Sequence, residues 1–419
     1  MKKLRIVAVL GMCFASGCDF KVTNPGPIQT QDLNDPAALP AMMNGAGRLL
    51  SDALNWIAYT GGAVSREIFP AGSTGSFGIS VLQQNGKLVA EETDPHWNRA
   101  QRARFVAEEG LRRAKAQLSP TDYGKSKTVA QLLLWAGYAN RLLGENMCDA
   151  VIDAGPKQPY TAFLMRAEAH FTEAIAVATA AGDVPMTRAA TAARAAVRAD
   201  LGNWTGAVAD AGAIPDAFRY QMPYYNNEES QYNRVYFASA NRPYRAHTAY
   251  RTYYDNYFRT YRADSSRISW DTVAVNGKAQ VGDAAISVDG INGRVPWYFQ
   301  RKYRDVTSAI TLSSGWEMRL IEAEAALRNA DTARAMPLIN KHRIALGVAA
   351  WPAPATLDEA WQRLKRERGI EMWLEARRLG DIRRWAAAST PGPLEDNVAG
   401  HDVCFPIPLG ELQTNPALP

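Results

Sequence analysis

Apolar residues recur at intervals of three and four along most of this chain, and that spacing limits its fold more than any other feature. In one segment Leu164, Ala167, Phe171 and Ala174 fall on a single helix face. Because such a face must be buried against another helix, the chain is expected to be mainly α-helical. The same pattern predicts helices over residues 41–56, 95–118, 128–144, 160–182, 187–201, 204–213, 315–329, 332–346 and 357–388.

Two of the predicted helix pairs share a spacing of small residues across their turns. Ala195 lies twelve residues before Ala207, and Ala323 lies twelve before Ala335. Small side chains there let two antiparallel helices approach closely. With Trp204 as a bulky neighbour, the pattern is similar to degenerate tetratricopeptide-like helical hairpins, whose repeat is about 34 residues. An Ala-rich helical bundle is the alternative, and both interpretations give stacked hairpins.

Residues 214–314 interrupt the helical pattern with prolines, glycines and short β-prone stretches such as 268–275. This insertion is expected to be loop-rich, with small strands. It also concentrates the chain's 17 tyrosines. Eleven of them fall between residues 220 and 261, namely Tyr220, Tyr224, Tyr225, Tyr232, Tyr236, Tyr244, Tyr250, Tyr253, Tyr254, Tyr257 and Tyr261.

The first 18 residues have the pattern of a lipoprotein signal. Three basic residues precede an apolar run over 6–15, which leads into Ala15-Ser16-Gly17-Cys18. We expect residues 1–17 to be removed and Cys18 to carry fatty acyl chains such as palmitate, which hold a protein at a membrane without spanning it. A plain cleaved signal peptide with an incidental cysteine is the alternative.

Removing residues 1–17 changes the charge balance. The full chain of 419 residues has a formal net charge of +5, and the remainder has 44 basic against 42 acidic residues, a net of +2. A nearly neutral chain gives no sign of nucleic-acid binding. No later stretch has the roughly 20 uninterrupted apolar residues of a membrane-spanning helix. Four prolines predict an extended leader over 18–40.

Two cysteines, Cys148 and Cys404, remain for the body of the protein. In an exported protein they can pair, and a link between such distant segments would restrict the unfolded chain. The sequence does not show whether their β-carbons lie close enough for a disulfide. Two separate buried thiols are the equal alternative.

Motifs for catalysis, metal binding and cofactor binding are missing from the sequence. There is no His-Glu-x-x-His, Gly-x-Ser-x-Gly, phosphate-binding glycine loop or Cys-x-x-Cys pair. The five histidines are scattered, without a second ligand at metal-binding spacing. We therefore predict a protein that is not an enzyme and has no cofactor or metal. A carbohydrate-active enzyme with carboxylates far apart in the sequence stays open.

The tyrosine-rich insertion favours a binding surface. Aromatic faces stack on the apolar C–H faces of sugars, and tyrosine loses little rotamer entropy on binding. Exposed loops on a rigid scaffold commonly contain ligand-binding residues. The glycine-rich stretch 61–78 is therefore a second candidate binding loop. Most individual tyrosines are expected to pack this irregular region instead. The candidate ligand contacts are Arg66, Phe77, Tyr224, Tyr225, Trp270, Trp297 and Tyr298.

Glu367, Glu371 and Glu375 recur at four-residue intervals near the C-terminus. Like charges at that spacing repel along one helix face, so cations must compensate them. The nearby candidates are Arg363, Arg378 and Arg383. This stretch is expected to dock on the helical scaffold, and an acidic active site is the weaker interpretation.

Three motifs give the chain a family resemblance. Asp381-Ile382-Arg383-Arg384-Trp385 ends the glutamate-rich helix, residues 406–416 supply a Pro-Ile-Pro, Glu-Leu and Asn-Pro ending, and residues 317–325 supply an Arg-x-x-Glu-Ala-x-Ala helix. Together they resemble the SusD/RagB family of outer-membrane nutrient-binding lipoproteins. Ala376 departs from the pattern, since the family often has glycine there.

The resemblance implies a SusD-like body at 41–419, in which a helical scaffold at about 41–213 and 315–419 carries the insertion at 214–314. It also implies a lipid-anchored outer-membrane protein facing the cell exterior. Such a protein binds an oligosaccharide or other nutrient and delivers it to a SusC-like TonB-dependent β-barrel transporter. A lipid-anchored helical-repeat scaffold that binds envelope proteins is the alternative function.

Overall fold

Helix follows helix along both ends of the chain in the computed structural model. The structure describes residues 32–72, 75, 78–240, 245–282, 295–394 and 398–418. The predicted signal peptide and the anchor Cys18 lie outside the described residues, and so does Phe77. Residues 32–34 and 36–38 form two short 3₁₀ turns rather than the extended leader expected there.

The α-helices carry the fold. In the described residues they are α1 (Leu39–Val64), α2 (Val81–Gln84), α3 (Ala90–Gln117), α4 (Pro120–Tyr123), α5 (Lys127–Asn146), α6 (Thr161–Ala180), α7 (Val184–Asp200), α8 (Trp204–Gly212), α9 (Arg234–Ser239), α10 (Tyr253–Thr260), α11 (Gly315–Arg328), α12 (Thr332–Ala345), α13 (Leu357–Glu371), α14 (Arg378–Ala387) and α15 (Leu409–Thr414).

Local signals account for where many helices begin. Ser126, Asp183, Asn203 and Asp331 each stand just before a helix and accept a hydrogen bond from a backbone N–H in its first turn. Pro95 does not follow this logic, because α3 begins at Ala90 and places the proline inside the helix. The predicted helices are otherwise confirmed to within a few residues, except that α1 continues to Val64.

The prediction of a single long helix over 357–388 is wrong. Helix α13 ends at Glu371 and α14 begins at Arg378, with Leu374 and Ala376 in the left-handed backbone region between them (φ 61° and 62°). The Glu67 carboxylate accepts the N–H of Leu374 at 2.9 Å, so contacts from the end of α1 hold this turn. The left-handed Ala376 stands where the related pattern often has glycine, which adopts that conformation without strain.

Close helix contacts depend on small residues. A Cβ added at Gly137 of α5 would lie 2.4 Å from the Phe171 ring of α6, so only glycine permits this approach. The alanines of the two predicted hairpins, including Ala195, Ala207, Ala323 and Ala335, are fully buried. Helices α7 and α8 pack as one hairpin and α11 and α12 as another. The mainly α, tetratricopeptide-like fold class is thus confirmed.

The insertion contains short antiparallel pairs rather than a sheet. Its strands and their neighbours are β1 (Phe69–Pro70), β2 (Asp149–Ala150), β3 (Gln158–Pro159), β4 (Arg219–Met222), β5 (His247–Thr248), β6 (Trp270–Asp271), β7 (Ala274–Val275), β8 (Lys278–Ala279), β9 (Phe299–Gln300) and β10 (Ile310–Ser314). β4 pairs with β10 at the two ends of the insertion, which returns the chain to the scaffold. β1 pairs with β5, which ties the insertion to the end of α1.

The C-terminal segment is joined to the end of α5. Cys148 and Cys404 form a disulfide with their Cα atoms 5.0 Å apart. Next to it, the Cys148 N–H donates to Phe405 O at 2.9 Å and the Phe405 N–H donates to Asn146 O at 2.8 Å. Within the described residues, none of the helices has the length and apolar character needed to cross a membrane.

Candidate functional site

Helix α10 presents a stripe of tyrosines. Tyr253 and Tyr257 are four residues apart on one face, and Tyr261 continues that face just beyond the last turn. An ion pair between residues four apart, from Arg259 Nε to Asp255 Oδ1 at 2.7 Å, stabilises this short helix. The helix therefore presents the partly exposed rings of Tyr253 and Tyr261 on either side of Tyr257, which is 2% exposed.

The three rings line an open cleft of about 690 Å³. The ring centroids of Tyr253 and Tyr257 are 5.9 Å apart, and those of Tyr257 and Tyr261 are 4.9 Å apart. Both pairs are tilted by 35–37°. The rings form a shallow aromatic wall about as long as two or three sugar units, and the volume falls in the range of ordinary ligand pockets.

Polar and cationic groups complete the cleft. Asn256 and Thr260 lie between the tyrosines, and Arg251 and Arg366 contribute guanidinium groups. Arg366, on α13, stands over the Tyr253 ring at 5.3 Å and over the Trp351 ring at 4.9 Å. The cleft thus offers ring faces together with hydrogen-bond donors and acceptors, the combination that recognises polyhydroxylated ligands.

A second depression of about 420 Å³ continues the cleft past Tyr261 and Arg366, which line both. Its wall includes Trp351, whose ring meets that of Tyr261 edge to face at 5.4 Å. Glu359 and Arg363 form an ion pair of 3.5 Å at its rim. Together the two depressions form one groove with four aromatic residues along it.

A buried carboxylate holds the back of this groove. Glu367 accepts hydrogen bonds from Arg343 at 2.9 Å, from Arg267 at 3.0 Å and from the indole Nε1–H of Trp351 at 2.8 Å. Arg343 also donates to the Tyr257 hydroxyl at 2.7 Å. Burial and the neighbouring carboxylates raise the pKa of Tyr257. Glu367 thereby positions the Trp351 ring directly and the Tyr257 ring through Arg343.

The glutamates of the C-terminal stretch are compensated by residues that the sequence interpretation did not name. Glu371 pairs with Arg267 and His342, and Glu375 pairs with Lys302 at 2.7 Å. Burial tends to raise the pKa of Glu371, but the hydrogen bond from His342 and the charge of Arg267 lower it to about 2. At Glu375 burial dominates and raises the pKa to about 7.

The arginines predicted to compensate them have other roles. Arg363 pairs with Glu359, Arg378 donates to Lys365 O, and Arg383 donates to backbone carbonyls of the α5 end. The prediction was wrong because the counter-charges come from the insertion and from α12, which sequence proximity does not reveal. The glutamates are structural and do not form an open acidic site.

Two predicted ligand contacts, Trp270 and Tyr298, stack on each other with centroids 4.3 Å apart and an interplanar angle of 17°. Both are half-buried, and Arg259 lies over both rings at 4.6 and 5.1 Å. The pair sits on the far side of α10 from the tyrosine stripe, since Phe258 of that helix contacts Trp270. It forms a neighbouring aromatic patch rather than the cleft wall.

A chain of contacts joins this patch to Arg66, another predicted contact. The Tyr298 ring meets Tyr250 at 5.9 Å, Arg251 lies 5.7 Å from the Tyr250 ring, and both Arg251 and Arg66 lie over Phe69. Arg251 also lines the cleft. Three of the predicted residues are therefore linked to Arg251 by contacts, but none of them lines the cleft.

Tyr224 and Trp297 are placed in the core. Tyr224 is 4% exposed and donates its hydroxyl to Ser51 O at 3.0 Å, and Trp297 is 0% exposed and donates its indole N–H to Ser239 O at 3.0 Å. Their polar atoms satisfy buried backbone carbonyls, so neither ring reaches a ligand. These two site predictions are corrected by the structure.

Tyr225 is 52% exposed but stands apart from the other candidates. Its neighbour Tyr224 contacts Ser51 in the first half of α1, whereas Arg66 follows the end of that helix. At 1.5 Å per residue, the two regions are separated by roughly 20 Å. Phe77 lies outside the described residues. The predicted residues therefore do not form one site.

The sequence contained a signal that would have located the cleft. Tyr253, Tyr257 and Tyr261 repeat at four-residue intervals, which places them on one helix face. The contribution of Trp351 and Arg366 had no such local signal. They join the cleft only because α13 packs beside α10.

Comparison with known proteins identifies the family. The sequence model of the SusD family matches residues 200–401, a range that contains the insertion, the cleft and α13 with α14. Residues 200–401, just under half of the chain, therefore match the SusD family, in agreement with the resemblance of the motifs. The match ends before residues 406–416, on which the sequence resemblance most relied. No curated protein sequence matches the chain.

Solved structures share the SusD fold with this chain over nearly its whole length. A SusD superfamily protein from Bacteroides vulgatus is 15% identical and aligns over 92% of this chain and 98% of its own, with a TM-score of 0.67. The surface glycan-binding protein A from Bacteroides uniformis is 13% identical, over 91% and 99%, with a TM-score of 0.64. A SusD-like carbohydrate-binding protein from Bacteroides vulgatus is 15% identical, over 84% and 83%, with a TM-score of 0.58.

The SusD motif residues that carried the resemblance are structural in this chain. Asp381 accepts hydrogen bonds from Arg368 and Arg384, and Glu324 accepts from Arg384 and from the indole of Trp385 at 3.1 Å. All are buried between α11, α13 and α14. In the part of the chain that the structure describes, no group of three or more His, Cys, Asp or Glu side chains is arranged to hold a metal ion.

Proposed function

We propose that this SusD-like chain binds an oligosaccharide in the groove along α10 and does not transform it. The observation that carries the proposal is the pair of partly exposed rings, Tyr253 and Tyr261, that line the cleft beside Asn256 and Arg366. Tyr257 is buried between them, so the two outer rings offer the stacking surfaces for sugars and the polar groups offer hydrogen bonds to hydroxyls. Two structural relatives are described as glycan- or carbohydrate-binding, which supports this ligand class.

The stripe is suited to binding because its rings are already fixed. The Tyr257 hydroxyl donates to Asp264 at 2.7 Å, and the edge-to-face contact with Trp351 restricts Tyr261. A ligand that stacks on immobilised rings loses little of its binding free energy to side-chain ordering. The half-buried patch of Trp270 and Tyr298, with Arg66 beyond it, is the proposed extension of the site. Tyr225 is not included.

Delivery and location are part of the proposal. The lipoprotein pattern that ends at Cys18 supports a lipid anchor in the outer membrane, with residues 41–419 forming one binding body on the cell exterior. From the family resemblance, the recipient of the ligand is a SusC-like TonB-dependent transporter. In this role the protein captures a nutrient and passes it on, without a cofactor or a chemical step.

Calorimetric titration with a panel of oligosaccharides tests the binding claim. Each stacked ring is expected to contribute about 1–2 kcal/mol, so Tyr253→Ala together with Tyr261→Ala should weaken binding by about a hundredfold. Tyr225→Ala removes an exposed tyrosine outside the groove and is the matched control, with unchanged affinity expected. If the double variant binds as tightly as the original protein, the groove is not the site.

A further inference from the structure

Two arginines flank the same phenylalanine at the edge of the cleft. The guanidinium carbons of Arg66 and Arg251 lie 5.1 and 5.8 Å from the centroid of Phe69. The pairing of β1 with β5, which aligns Phe69 with Thr248, brings these segments together from sequence positions far apart. Phe69 thus has two cations beside its ring, of which Arg251 lines the cleft.

Both arginines have a left-handed backbone, with φ of 60° at Arg66 and 59° at Arg251. A long side chain in this conformation is strained, and the surrounding structure must hold it there. Because these turns adjoin the β1–β5 pair, the backbone positions of the two cations are set before any ligand binds.

The partners of these two cations are aromatic rather than acidic. Among the residues that the structure describes, Arg66 and Arg251 contact the rings of Phe69 and Tyr250, and neither forms an ion pair with a carboxylate. Other arginines of the chain are paired, as Arg194 is with Asp210 at 2.8 Å. Burial lowers the pKa of Arg66.

The cleft itself has a one-sided charge. The described residues that line it include Arg251 and Arg366 but no Asp or Glu, and Glu359, which lines the second depression of the groove, is paired with Arg363. The whole chain carries a formal charge of only +5, with 47 basic and 42 acidic residues, so this local excess is not a consequence of overall composition. Guanidinium groups bind carboxylate and sulfate oxygens in pairs, with charge-assisted hydrogen bonds.

We propose that the groove selects anionic glycans, whose carboxylate or sulfate groups bind Arg251 and Arg366 while their sugar rings stack on the tyrosine stripe. Arg66 strengthens the positive field from behind Phe69. This inference rests on the proposed function, because it names the class of oligosaccharide that the groove binds. The aromatic wall sets general affinity for sugars, and the arginines set the preference for charge.

The first test compares glycans that differ only in charge. Oligogalacturonides are titrated beside their methyl esters, and sulfated galactan oligosaccharides beside their desulfated forms. We expect at least one charged member to bind tenfold or more tightly than its neutral counterpart, with the difference shrinking as salt is raised. Equal or tighter binding of the neutral forms, or binding of neutral glycans alone, overturns the preference and leaves the proposed function standing. Binding of no glycan at all overturns both.

The second test assigns the preference to Arg251. Asparagine tolerates the left-handed backbone, so Arg251→Asn removes the charge without new strain. The ratio of charged to neutral affinity should fall about tenfold to hundredfold, the loss of one charge-assisted pair. Arg188→Gln removes an exposed charge on α7 and should leave the ratio unchanged. If both variants keep the original ratio, Arg251 does not select the anion.

Discussion

The turns of the two helical hairpins have the same backbone geometry but differ in one residue. Gly202 in the α7–α8 turn and Ala330 in the α11–α12 turn both have a left-handed backbone, with φ of 79° and 54°. In each turn the following residue donates its N–H to the carbonyl five positions earlier, at 2.8 Å from Asn203 and 3.0 Å from Asp331. The geometry is the same, but only glycine adopts it without strain.

Exchanging the two residue types should therefore shift stability in opposite directions. Ala330→Gly is expected to raise the free energy of unfolding by about 0.5–1 kcal/mol, and Gly202→Ala to lower it by a similar amount. Urea denaturation measures both. Ala325→Gly, inside α11, makes the same substitution in a helical residue and should be destabilising by about 1 kcal/mol. A loss of stability in Ala330→Gly would show that strain at this turn is negligible.

At the level of elements, α13 connects the scaffold to the groove. Its inner face carries Glu367, which holds Arg343 and Trp351, and its outer face carries Arg366 in the cleft. The register of this one helix therefore places a buried charge network and a ligand-facing cation together. A change in the buried network should reach the binding surface.

Glu367→Gln tests this connection. It leaves Arg343 buried without its carboxylate, so a loss of about 3–5 kcal/mol in the free energy of unfolding is expected. Glycan affinity should also fall, because Trp351 and Tyr257 lose their common support. Glu359→Gln, in the exposed pair at the groove rim, is the control and should cost about 1 kcal/mol or less. Equal effects of the two changes would contradict a supporting role for Glu367.

The same helix shows where sequence reasoning succeeds and where it stops. The helices with a continuous apolar stripe and a polar cap, such as α5 and α7, were predicted to within three residues at each end, because both signals are local. The break after Glu371 was missed, since neither Leu374 nor Ala376 is a glycine or proline. It depends on hydrogen bonds from Trp373 and Leu374 to Glu67, which are fixed only by the tertiary structure.

At the scale of the whole molecule, α1 lies in the core, and two residues near its C-terminal end contact buried histidines. His96 bonds Thr60 at 2.7 Å and His247 bonds Tyr59 at 3.1 Å. Burial, with nearby arginines, lowers the pKa of each histidine to about 3, from 6.5. Both imidazoles are therefore neutral in the folded protein at any pH at which it functions.

These histidines should make the protein acid-sensitive. Between pH 6.5 and about 3 the unfolded chain binds protons that the folded chain does not, so the free energy of unfolding falls as the pH falls. The slope is about 1.4 kcal/mol per pH unit for each histidine. Urea denaturation from pH 7 to 4 should show a shallower dependence in His96→Gln and His247→Gln than in the original protein. An unchanged slope in both variants would contradict the lowered pKa values.

The sequence predicted the binding site only in part, and the reason lies in the packing of the whole molecule. The tyrosine-rich insertion indicated the right region, yet Tyr224 and Trp297 turned inward and Tyr253 and Tyr261 outward. Which ring faces solvent depends on how the insertion packs on α13 and on residues near Trp351, about 90 positions later in the chain. Composition locates such a region, and packing selects its residues.

The most direct measurement is a crystal structure of the protein with a bound oligosaccharide from the titration panel. The account predicts sugar rings stacked on Tyr253 and Tyr261, about 4 Å from the ring planes, with an acidic substituent against Arg251 or Arg366. A saccharide bound elsewhere, with the α10 groove empty, would contradict it.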